Sequence, residues 1–219
     1  MILVKEILAL LQKDILLEWR QKYALGGIFL YVMSTVFVVY ISFIKIQPQV
    51  WNVLFWIIML FASVNAIAKS FVQENGQRQL YYYQLADPIA VITAKILYNI
   101  LLLLLLNTLT FFVFSFVAGN PVKDIWQFSM AILLSSIGFA ITFTFISGIA
   151  AKANNSATLM AILSFPTILP ILLQLIKLSA NALGLINDTS VNKDIMILVD
   201  IDMMLLSLTY VLFPYLWKD

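Results

Sequence analysis

The sequence contains no cysteine and no histidine. The first absence excludes disulfides and thiol redox chemistry. Together the two exclude zinc sites of the usual ligand set and every histidine-based acid or base. Charge is also scarce: only 11% of the 219 residues are charged, whereas soluble domains average about 25%. With 63% hydrophobic residues and a mean hydropathy of +0.98, the chain reads as an integral membrane protein. The formal charge of +2 comes without any basic run, so nothing points to nucleic acid. None of the seven glycines is followed by lysine, which excludes a phosphate-binding loop of the form GxxxxGK[ST]. Any ATP-driven work therefore needs a nucleotide site on another polypeptide. No Ser-His-Asp set, Cys-His set or carboxylate pair stands ready for catalysis, so an enzymatic role is not expected.

What is present is long apolar runs. Five lack any charge, at 23–44, 46–68, 96–122, 125–151 and 153–176, and each exceeds the roughly 20 residues that cross about 30 Å of hydrocarbon. A sixth, 203–217, has only 15 residues, about 22 Å of helix. It can span only by starting near Ile195 and taking Asp200 and Asp202 into its outer end, where both are expected as plain interfacial carboxylates. The predicted fold class is all-α: one transmembrane domain over 1–219, with six spans within 23–217 and a surface helix at 1–22. In that first helix Val4, Leu8, Leu11, Ile15 and Trp19 form an apolar arc, with Lys5, Glu6, Gln12, Lys13 and Arg20 opposite, the pattern of a helix lying in the interface. Its five-residue apolar stretch, 7–11, is too short for a secretory signal, so the N-terminus is expected to be retained.

Orientation follows from the basic residues. With the N-terminus inside, the inner segments hold Lys5, Lys13, Arg20, Lys22, Lys69, Arg78, Lys95, Lys152 and Lys218, and the outer ones Lys45, Lys123, Lys177 and Lys193, nine against four. The positive-inside rule then puts both termini in the cytosol. Trp19, Tyr23, Tyr215 and Trp217 fall near the inner boundary, and Trp51 and Trp126 near the outer one, as interfacial anchors.

Within the spans, Ser136, Ala140, Thr144 and Gly148 repeat at four-residue spacing, a small-residue face that lets another helix backbone approach. It suits packing within the subunit or between subunits. Pro166 and Pro170 each remove a backbone donor one turn apart, which predicts a kink whose freed carbonyls find partners inside the bundle. Gly184 is a candidate break in the polar stretch 177–194.

The longest polar interval between spans is 69–95, KSFVQENGQRQLYYYQLADPIAVITAK. It is expected in the cytosol as a coupling loop. Asn75-Gly76 favours a turn and Pro88 biases Asp87 away from helix. Glu74, Asn75, Gly76, Gln77, Arg78 and Leu80 offer charges, a hinge and an apolar anchor to an ATPase, with Lys152 and Asn154 as a smaller second contact. An ordinary solvated loop is the plain alternative.

The arrangement resembles the membrane subunit of type-2 ABC exporters. Within that group the sequence most resembles haem exporter protein B, the CcmB family of the cytochrome c maturation system. The resemblance rests on Phe71, Glu74, Gly76, Leu80 and Pro88 in the loop, Ser136-Ile137-Gly138-Phe139, Lys152, and Phe165-Pro166-Thr167-Ile168-Leu169-Pro170. The opening Lys13-Asp14-Ile15-Leu16-Leu17-Glu18-Trp19-Arg20 and the ending Leu212-Phe213-Pro214-Tyr215-Leu216-Trp217-Lys218-Asp219 also fit. It implies a permease-like, non-catalytic subunit of the bacterial inner membrane that works with a cytosolic ABC ATPase, a haem-handling integral membrane subunit and a haem chaperone. Its implied work is ATP-dependent delivery of haem, or release of the loaded chaperone, in c-type cytochrome biogenesis. Asn75-Gly76 departs from the Asp-Gly common in the family, and Tyr81-Tyr82-Tyr83 is unusual. Haem iron is held by His, Cys, Met or Tyr, so a chain with neither His nor Cys is expected to leave haem to a partner and to bind no cofactor itself. Two other readings fit the architecture: a permease for lipid-linked sugars or small molecules, and a passive assembly scaffold.

Overall fold

The computed structural model describes residues 2–20, 22–43, 45–68, 86–152, 156–186 and 190–218. Among these there are seven helices and no strand: α1 (Ile2–Arg20), α2 (Lys22–Ser42), α3 (Pro48–Ile67), α4 (Pro88–Ala118), α5 (Ile125–Ala151), α6 (Ser156–Ala182) and α7 (Val191–Lys218). The protein is an all-α polytopic membrane protein. Helices α3 to α7 each carry a stretch long and apolar enough to cross a bilayer, and α2 adds the shorter apolar stretch Gly26–Ser42.

Helix starts are set locally. The Asp87 and Asp124 carboxylates accept the backbone N–H of Ile89 (2.8 Å) and Gln127 (3.1 Å), capping α4 and α5. Proline occupies the first turn of both α3 and α4, where its missing N–H costs nothing. At the end of α6 the chain turns through Gly184 at φ +69°, with Leu185 N–H closing back on the Ala180 carbonyl at 3.0 Å. The break expected at Gly184 is this turn. The freed Ala182 carbonyl takes two donors from the α4–α5 connection, the N–H groups of Lys123 (3.1 Å) and Asp124 (2.9 Å).

Helix α5 is the centre of the bundle, packed against α3, α4, α6 and α7, with 18 of its 27 residues buried. Lipid is as apolar as leucine, so apolar side chains alone do not drive these helices together; close packing and buried hydrogen bonds do. Ser136, Ala140, Thr144 and Gly148 are all buried. The carboxamide of Asn107 on α4 donates to Ser136 Oγ (2.6 Å) and Ser135 Oγ (3.2 Å), and that of Asn99 donates to Thr144 Oγ1 (2.7 Å). The small-residue face of α5 is thus occupied from within the subunit, by α4.

The end of the bundle away from α1 is held by two further groups of contacts. Trp56 Nε1 donates to Ser179 Oγ (2.7 Å), which donates to Asn52 Oδ1 (2.7 Å), and Asn52 Nδ2 donates to the Ile176 carbonyl (2.9 Å), joining α3 to α6. Beside them Trp51 stacks on Phe55 (5.5 Å) and Phe114 (5.0 Å), and Phe111 packs at a tilt on Phe128 (5.0 Å). Trp51 is therefore a core residue, 1% exposed, and not the interfacial anchor expected of it; Trp126 does face outward, 70% exposed. Trp217 is likewise turned inward, against Phe213, while Tyr215 is exposed. A position near a boundary says nothing about which side of the helix faces lipid, and here α3 and α7 turn these indoles into the protein.

Helix α6 continues past its charge-free run, through Lys177 to Ala182, and two helix starts lie well before theirs. Helix α7 starts at Val191, because Asp194 is buried and neutralised by Lys177 Nζ (2.8 Å), with Gln174 Nε2 as a second donor (3.1 Å). With α7 so extended, Asp202 falls mid-helix instead of at an interface. It is buried with neither carboxylate oxygen hydrogen-bonded, while Asp200 is exposed. Its Oδ1 lies against Gly138 in the middle of α5, in the space a Cβ would fill, with Ile171 of α6 alongside. The second boundary is α4, which begins at Pro88, eight residues before the apolar run; the last part of the interval 69–95 is helix. Helix α6 runs unbroken through Pro166 and Pro170, both on its exposed side. The prolines thus face away from the bundle interior where their freed carbonyls were expected to find partners.

Replacing Asn107 by leucine should cost about 0.6–1.7 kcal/mol, read as a lower unfolding temperature of the protein in mild detergent. Gly138→Val should cost about 1–3 kcal/mol through overpacking. Much of that loss should return when Asp202→Ala is added, because the carboxylate is what the new side chain meets. Equal stability of Gly138→Val and the parent would refute the close approach.

Candidate functional site

The sequence places its candidate contact residues around one polar interval, and the structure fixes where that interval leaves and rejoins the bundle. Glu74, Asn75, Gly76, Gln77, Arg78, Leu80 and Asn154 lie outside the described residues. What is described is their frame.

On the upstream side α3 closes at Ala68, whose N–H donates to the Val64 carbonyl (2.8 Å). The Ala68 carbonyl accepts a long bond from Ser147 Oγ of α5 (3.5 Å). Ser147 stands five positions before Lys152, so the exit of the interval and the end of α5 share one end of the bundle. Lys152 caps α5, its N–H directed to the carbonyls of Ala150 and Ile149, and its side chain is exposed. That is a position from which an ammonium can meet a surface partner.

On the downstream side the chain re-enters at Ala86, and Asp87 is held from two directions. Its carboxylate caps α4, and its own backbone N–H donates to Glu6 Oε1 of α1 (2.9 Å). One turn on, Thr93 Oγ1 donates to the Ile89 carbonyl (2.6 Å) and lies 3.1 Å from the Tyr210 hydroxyl of α7. Below it lies a compact apolar group of Val91, Ile92, Ile96, Ile141, Phe213 and Trp217, with Leu10 of α1 against it.

Lys95 is 6% exposed, and its Nζ is 3.7 Å from Asp14 Oδ2; Lys13 Nζ is 3.1 Å from Asp14 Oδ1. These charges let α4 start early: a lysine that stands just before an apolar run in the sequence is matched by a carboxylate on another helix. The side of α1 that faces protein is the mixed set Glu6, Leu10 and Asp14, while Lys5 and Gln12 of its polar side and Val4, Leu8 and Ile15 of its apolar arc are exposed.

Among the described residues no three His, Cys, Asp or Glu side chains converge on a metal position. Sequence reasoning missed Glu6, Asp14 and Lys95 as a set. The visible signal was a charged residue, Lys95, at the start of an apolar run; its partner 81 positions earlier was not marked by any local pattern.

A family model described as CcmB protein matches residues 5–215, nearly the whole chain. A search of the curated proteins returns no match.

Proposed function

Because the chain belongs to the CcmB family, the membrane subunits of the haem-export ABC transporter of cytochrome c biogenesis, we propose that it receives the motion of a separate cytosolic ATPase through the interval between α3 and α4. In this reading Glu74 to Arg78 and Leu80 form the main contact, and Lys152 with Asn154 the second. The membrane is the bacterial inner membrane, and both termini are cytosolic. Haem is held by a haem-handling membrane partner and passed to a haem chaperone, since this chain offers neither histidine nor cysteine to the iron.

The observation that best supports the reading is the shared location of its two contact regions. Ala68, where the interval begins, is bonded to Ser147 close to the capping residue Lys152, and Asp87, where it ends, is fastened to α1. A partner that grips this end reaches α1, α3, α4 and α5 together. The passive-scaffold reading gives no reason for the interval to be fastened on both sides.

The test is substitution of Glu74 and Arg78 by alanine in cells lacking their own copy of the protein. Haem-stained c-type cytochrome should fall severely while the chain remains in the membrane. Co-purification in mild detergent should show whether the ATPase has been lost or is retained but uncoupled. Normal cytochrome levels with normal ATPase recovery would leave the scaffold reading in its place.

A further inference from the structure

The fastening between α1 and α4 is regular. Glu6 meets Asp87, Leu10 packs at the level of Val91, and Asp14 meets Lys95. The contacts recur every four residues on both helices, so α1 and the start of α4 run in the same direction and in step for about 12 Å. Each level uses a different chemistry: a charge-assisted bond to a backbone N–H, an apolar contact, and an ion pair with Lys95 buried and Asp14 nearly so.

A buried ion pair adds little net stability compared with apolar residues of similar size, yet losing one partner is costly. Its use is to fix one register. Sliding α1 by a turn would strand Lys95 away from Asp14 and leave the Asp87 N–H without its carboxylate. Helix α2 begins at Lys22, directly after α1 closes at Arg20. Whatever displaces Asp87 therefore displaces α1, and with it the start of α2, a helix with no chain connection to the interval 69–85.

We propose that α1 and the first two turns of α4 form a single transmitting unit, with Glu6, Asp14 and Lys95 as positioning residues. On the ATPase-coupled reading above, on which this inference rests, the downstream side of the coupling interval is this helix pair and not α4 alone. The pair divides the imposed movement between α4 and α2. Glu6, Asp14 and Lys95 act through Asp87 and the helix pairing and do not themselves hold the ATPase.

The experiment uses the whole membrane complex, carrying Glu6→Ala, Glu6→Gln, Asp14→Lys, or Asp14→Lys combined with Lys95→Asp. Glu6 is a partly exposed helix position where alanine favours the helix, so the fold is not at risk. Per chain in the membrane, Glu6→Ala should lose most of the haem-stained c-type cytochrome while the ATPase still co-purifies and hydrolyses ATP. Glu6→Gln, which keeps an acceptor oxygen for the Asp87 N–H, should recover much of the loss. The exchanged pair should outperform Asp14→Lys alone. Undiminished cytochrome in Glu6→Ala overturns the proposal, as does release of the ATPase by Glu6→Ala, which would make α1 a docking element. The Glu74→Ala, Arg78→Ala variant run alongside separates the two readings. If it uncouples while Glu6→Ala does not, only the helix-pair inference fails; if it is also silent, the coupling reading fails with it.

Discussion

A helix in a bilayer has no water to escape from, and so every close approach in this bundle has to be justified by fit or by hydrogen bonds. The contact on which the rest depends is that of α4 with α5. Asn99 and Asn107 sit eight residues apart on one helix, and Thr144 and Ser136 eight apart on the other, running in opposite directions. Two carboxamides meeting two hydroxyls at that spacing fix an antiparallel register. Ala140 and Gly148 lie on the same buried face and keep the backbones close. Helix α5 then presents its remaining faces to α3, α6 and α7, and the order of the bundle follows.

Much of this is written in the sequence. The run 125–151 coincides with α5, because charges bound it on both sides and an N-cap aspartate precedes it. The apolar character of the other spanning helices, the first amphipathic helix and the turn at Gly184 are also readable. What could not be read are the charges matched at long range. Lys95 looks like the end of a loop until Asp14 is known to face it, and Asp194 looks like part of a loop until Lys177 is. Both pairs lengthen a helix beyond its apolar run. Trp51 shows the same limit in another form, since a tryptophan one turn inside a helix suits an interface and an aromatic core equally well. For the candidate site, the frame is described and the residues 74–80 are not, so their assignment rests on the sequence and on the family.

The two ends of the molecule are built differently. The end away from α1 is fastened by the Asn52–Ser179–Trp56 network, the Asp194–Lys177 pair, the aromatic stack and two donors on the Ala182 carbonyl. These contacts cross between α3, α4, α5, α6 and α7. At the end bearing α1, the ties run between α1 and α4, with lighter links to α5 and α7. Asp202, held against Gly138 midway, marks where the one regime gives way to the other.

Helix α4 belongs to both ends. At 31 residues it is a rod of about 46 Å. Its far part is wedged among aromatic rings, and its near part is packed against α1, α5 and α7. On the coupling reading proposed above, α4 is a lever with its fulcrum in the aromatic stack: from Phe114 to Pro88 the arm is about 39 Å, so a tilt of about 5° moves that tip by about 3 Å, close to two residues of helical rise. In that reading, force delivered at Asp87 has a large mechanical advantage over the packing at Phe114. The length of α4, which exceeds what a bilayer requires, sets how small a rotation in the membrane can accompany a large stroke outside it.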